Sequence, residues 1–136
     1  MLSPTLDTVR LFFHVLAASV WVGGQFVLAG VVPALRDKYP DATTALAQAY
    51  ARLAWPAFAL VVLTGLWNLG EVDVANTSTE YQITMFVKIT LAVVSGAAAA
   101  VHQVGESRAA KAVGGALGFV AALAAMFVGY LLTSGT

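Results

Sequence analysis

Cysteine is absent from this chain of 136 residues. That excludes a disulfide framework, a thiolate metal site and a thiol nucleophile together. Any metal must then be held by His, Met, Asp, Glu or backbone, and the chain has only two His and three Met. Charge is also scarce: 10% of the residues are charged, where a soluble domain carries about 25%. Seven basic and seven acidic residues cancel, with no basic run among them, so nucleic acid is excluded as a partner. The chain also lacks a phosphate-binding glycine loop, an HExxH pair, a carboxylate cluster and a plausible Ser-His-Asp set. Those absences exclude a hydrolase or a nucleotide-driven pump.

What remains is apolar: 60% of the residues are hydrophobic and the mean hydropathy is +0.83. Runs at roughly 9–35, 43–70, 79–104 and 108–133 each exceed the about 20 residues that a helix needs to cross a bilayer core of about 30 Å. Only helices keep every backbone polar group satisfied in such runs. The expectation is an all-α integral membrane four-helix bundle, one transmembrane domain over residues 1–136. Asp7 and Arg10 precede a long apolar run, so the first segment reads as an uncleaved span and not as a signal peptide. Asp41 is a candidate N-cap, Thr77-Ser78-Thr79-Glu80 fits a capping box, and Ser107 suits a cap for the fourth helix. Pro56 falls inside span two, where it predicts a kink.

Basic residues set the orientation. Arg36, Lys38 and Arg52 flank or fill the first connection, and Arg108 and Lys111 the third, whereas Glu71 to Glu80 holds three acids and no base. Connections one and three are expected to be cytoplasmic, with both termini and the acidic connection outside. Arg10 alone dissents, at the outer end of span one. The setting expected is a bacterial plasma membrane.

Ionisable residues inside spans are costly and usually face the bundle interior. On helix three Tyr81, Lys88, Ser95 and His102 recur every seven residues, with Met85, Ala92 and Ala99 between them, which lines one face. On helix one His14, Trp21 and Gln25 share a face. Thr64, Trp67 and Asn68 of span two and Met126 and Tyr130 of span four reach the same outer half. His14, Lys88, Met85, Trp67, Asn68 and Tyr130 are therefore candidates for a cofactor pocket, and His14 with Met85 for a metal. Each has a plainer alternative. His14 can be a histidine bonded to a neighbouring helix, and Lys88 can snorkel towards Glu71, Asp73 or Glu80. His102 suits an interfacial position, and Trp55, Trp67, Tyr81 and Tyr130 suit an aromatic belt. Arg52 and Gln25 can pair. Gly114-xxx-Gly118, and Ser95-Gly96 followed by Ala97 to Ala100, allow close helix approach or an oligomer face.

His14-Val15-Leu16 through Trp21-Val22-Gly23-Gly24, Thr64-Gly65-Leu66-Trp67 and Phe86-Val87-Lys88 resemble the first three spans of CopD-type copper-resistance membrane proteins. The same landmarks resemble HemJ-type protoporphyrinogen oxidases, four-span proteins thought to carry haem b. The resemblance places His14 and Lys88 at those families' key positions. HemJ-type proteins carry a further His just before the lysine, where this chain has Met85-Phe86-Val87. Their Asn-Glu-x-Pro stretch in span four has no counterpart among residues 112–119.

Two functional expectations follow. The first is a CopD-like protein handling copper or another small cation. The second is a haem b-binding protein with His14 as axial ligand and Met85 or Lys88 opposite, or with Lys88 pairing with a propionate. An accessory subunit of a larger membrane complex, or a homo-oligomer, is a third. Whether the protein is an enzyme stays open at this point.

Overall fold

The computed structural model describes residues 1–134. Four helices make it up: α1 (Leu6–Leu35), α2 (Pro40–Glu71), α3 (Thr79–Val104) and α4 (Arg108–Ser134). A 3-10 turn, Val74–Asn76, lies before α3. All four are long and apolar enough to cross a membrane. Their outward surface is what a lipid solvent would accept: Phe26, Leu63, Phe86 and Phe127 are each more than 60% exposed. In water such a contiguous apolar surface would drive association; against acyl chains it costs nothing.

The chain divides into two compact units between Val72 and Asp73. The first is an antiparallel hairpin of α1 on α2, the second of α3 on α4.

The helix ends show local chemistry. At α1, Thr5 and Thr8 cap each other reciprocally, each side-chain oxygen accepting from the other's backbone N–H at 3.2 Å. That carries the helix three residues ahead of the apolar run. The start of α2 departs from expectation. Pro40 occupies the first helical position behind Tyr39, and Asp41 lies in the first turn and does not cap it. Proline is suited there because its missing N–H is an orphan position anyway, and the acid still favours the helix dipole. At α3 the cap is Ser78, accepting from Tyr81 N–H at 3.2 Å. Glu80 thus falls one position short of the reciprocal box. Ser107 caps α4 as expected, accepting from Ala110 N–H at 3.0 Å.

Hydroxyls along the spans turn inward on their own backbone. Ser19 donates to the Val15 carbonyl at 2.7 Å, Thr84 to Glu80 at 2.7 Å and Thr90 to Phe86 at 2.9 Å. Each satisfies its donor four residues back along the helix.

Candidate functional site

In the first hairpin α1 and α2 meet along a ladder of facing side chains. At its base Trp21 packs on Phe58, ring centroids 4.5 Å apart, and on Trp55 at 5.3 Å. Tyr50 anchors the lower helix crossing: its hydroxyl lies 3.0 Å from the Val20 carbonyl and 2.8 Å from that of Trp21. Gly24 is what admits the ring, because a Cβ there would lie 2.0 Å from a tyrosine ring carbon. Gln25 turns back on its own helix, donating to Trp21 O at 2.9 Å, which takes the place of the expected pairing with Arg52.

Two turns above Trp21 on the same face stands His14. Its Nδ1 is 2.8 Å from Thr64 Oγ1 on α2. The threonine fixes the tautomer. Thr64 Oγ1 lies 2.6 Å from the Leu60 carbonyl, and a carbonyl can only accept, so the single hydroxyl proton is directed there. The same oxygen must then accept from His14, which places the imidazole proton on Nδ1. The lone pair that can ligate a metal is consequently on Nε2. This is the arrangement by which metal-binding histidines are usually oriented, one ring nitrogen donating to a fixed acceptor and the other turned to the ion. Thr64 is buried, 5% exposed. Beside it lies Gly65, where a Cβ would touch His14 Cε1 at an ordinary contact distance of 3.6 Å.

One turn further towards the hairpin's open end the ladder becomes charged. Arg10 pairs with Asp7 at 3.1 Å and reaches Glu71 at 3.9 Å. Its guanidinium carbon lies 5.9 Å from the Trp67 ring, and Trp67 Nε1 donates to Glu71 at 3.2 Å. Asn68 belongs to this face of α2, one turn from Thr64, and its Oδ1 is buried with no hydrogen-bond donor. Of the candidates on α1 and α2, His14, Trp67 and Asn68 therefore belong to one polar ladder.

The other candidates belong to the second hairpin. Lys88 extends across Gly129 of α4, where a Cβ would lie 3.4 Å from its Cε and 3.5 Å from its Nζ. Among the described residues it forms no ion pair. Met85 is half-buried, and Tyr130 is 66% exposed, as an aromatic-belt residue would be. The seven-residue stripe on α3 is a seam against α4. Ser95 Oγ donates to Gly118 O at 2.9 Å, and His102 Nδ1–H donates to Lys111 O at 2.6 Å. Gly114 lies so close that a Cβ would be 2.7 Å from His102 N and 2.8 Å from Ala98 O. His102 is thus a clasp between helices.

Arg10, Thr64, Gly65 and Gly129 complete the surroundings of the candidates. Arg10 was legible as the residue one turn before His14 on the same face. Gly129 carried no comparable signal. Among the described residues no group of three or more His, Cys, Asp and Glu side chains gathers as a metal cage.

The fold and ladder define an all-α chain with four helices long and apolar enough to cross a membrane, one of which carries an oriented histidine. No protein-family model, curated protein or solved structure matches the chain.

Proposed function

We propose that this chain is a CopD-like protein of the bacterial plasma membrane that handles copper or another small cation, with His14 as the anchoring ligand. The observation that carries the reading is the Thr64–His14 hydrogen bond, which orients an imidazole inside an apolar span and leaves the ligating lone pair on Nε2. An intramembrane histidine held in one tautomer by a partner hydroxyl suits metal work better than plain packing. Copper(I) favours soft donors. Without cysteine, the thioethers of Met85 and Met126 are the soft donors that the spans offer. Basic residues at the first and third connections then keep both termini outside.

One observation favours a second reading. The described residues gather no group of three or more His, Cys, Asp and Glu side chains, whereas haem b needs only one or two axial ligands. A haem-binding protein related to the HemJ type would use His14 Nε2 as that ligand.

One preparation separates the two. The protein is purified in mild detergent, its copper content measured, and its absorption spectrum recorded oxidised and after dithionite. Copper handling predicts near-stoichiometric copper, no Soret band, and loss of the metal in His14→Ala. A Soret band that sharpens on reduction selects haem instead. Metal content and spectrum both unaltered by His14→Ala would overturn either assignment.

A further inference from the structure

Arg10 stands one turn above His14 on the face of α1 that meets α2. Its side chain is only 11% exposed although its partner acids Asp7 and Glu71 are 70% and 56% exposed. The positive charge is thus drawn inward while the carboxylates stay at the rim. Two carboxylates against one guanidinium leave this cluster with a net charge of −1, so its natural visitor is a cation, not an anion.

The arginine is incompletely served where it lies. Its Nε is buried and has no acceptor, while Asn68 Oδ1, buried one turn beyond Thr64 on α2, has no donor. A guanidinium offers five donors in a rigid fork, and leaving a buried one unused is costly. The two orphans are complementary, a donor and an acceptor on facing helices at matching heights of the ladder. Swinging the guanidinium from the acids towards Asn68 would pair both and release the carboxylates.

We infer that Arg10 is a tethered cation that occupies an ion's place between Asp7 and Glu71, and that an incoming small cation displaces it on the way to His14. This rests on the cation-handling reading above. Held against the acids, Arg10 closes the mouth of the ladder by charge as well as bulk; moved to Asn68, it leaves two oxygen-donor carboxylates facing the entering ion. The Trp67 ring, 5.9 Å from the guanidinium, gives the charge a polarisable surface along which to move.

The test is competition for copper(I) between the detergent-solubilised protein and a chromogenic chelator of known affinity. Native protein, Arg10→Gln, Arg10→Lys, Glu71→Gln and His14→Ala are compared. A unit charge about 8 Å from the bound ion, at an effective dielectric between about 80 and 20, alters affinity by about twofold to thirtyfold. Arg10→Gln should therefore bind copper(I) tighter by that factor at unchanged stoichiometry, Arg10→Lys should stay near native, and Glu71→Gln should bind more weakly. The advantage of Arg10→Gln should also shrink as salt is raised, because the groups lie near the surface and are screened; a merely structural role would show no such dependence. Native-like helicity with unchanged or weaker binding in Arg10→Gln overturns the inference. If Arg10→Gln loses helicity, the decision passes to Glu71→Gln, and native affinity there overturns it. A native protein that binds through His14 while Arg10→Gln matches it refutes the displacement alone. A native protein that binds no copper(I) refutes the cation reading and the displacement together.

Discussion

At the scale of single residues, Thr64 decides which nitrogen of His14 is offered to a ligand. Because its proton is committed to Leu60 O, it can only accept from the ring. Valine at this position keeps the shape and removes the acceptor. Thr64→Val is expected to weaken metal binding by about 10- to 100-fold, the usual effect of losing a histidine's supporting partner, while Thr64→Ser retains it. Chelator competition on the purified variants measures this. An affinity for Thr64→Val equal to native would show that the hydrogen bond is incidental. His14 is legible in the sequence as an ionisable residue in an apolar span, but its tautomer is not. The tautomer depends on which α2 residue faces the ring, a matter of helix rotation that no single helix's pattern encodes.

The helix pairs show where such reading succeeds and where it fails. Spans are legible because lipid demands apolar length: the runs 79–104 and 108–133 foreshadow α3 (Thr79–Val104) and α4 (Arg108–Ser134) almost residue for residue. Ends depend on finer chemistry. Thr5 and Thr8 draw α1 back to Leu6, and Tyr39 takes the cap position expected of Asp41, with Pro40 opening the helix. The small residues of α3 and α4 point to close approach, and at Gly114 and Gly118 that is what the second hairpin shows. Their purpose in the seam also accounts for Ser95, 1% exposed and bonded to Gly118 O. At Gly114 the neighbours of an added Cβ are backbone atoms, which have no rotamer to give. Gly114→Val should therefore destabilise the hairpin by about 1–3 kcal/mol, and Ser95→Ala by about 0.6 kcal/mol, the average for hydrogen bonds between membrane helices. Denaturation followed by circular dichroism is the suitable readout, since it follows all four helices whereas the three tryptophans all belong to the first hairpin. Equal stability of Gly114→Val and native protein would contradict the close approach.

For the whole molecule, the absence of cysteine turns into an experimental advantage. Every introduced cysteine is a unique label, so orientation can be mapped without a background. With an impermeant maleimide on intact cells, Ser3→Cys and Ala75→Cys should react. Lys38→Cys and Glu106→Cys should react only after the membrane is opened, as the distribution of basic residues requires. The reverse pattern would place the acidic connection inside and refute the proposed orientation. Arg10, the one base at the wrong end by this rule, pairs with Asp7 and Glu71 at the end of the first hairpin.

The inward-turned hydroxyls change how polar the chain is to its solvent. A hydropathy index charges Ser19, Thr84 and Thr90 as alcohols exposed to hydrocarbon, yet each has spent its proton on the turn below. A lipid tail passing Thr90 therefore meets a methyl group and a closed ring of hydrogen bonds, with no donor seeking water. The free energy of partitioning such a helix from the translocation machinery into the bilayer is accordingly more favourable than its composition states. The chain can thus carry hydroxyls within its spans, and keep the option of using one, Thr64, between helices, without weakening its hold on the membrane.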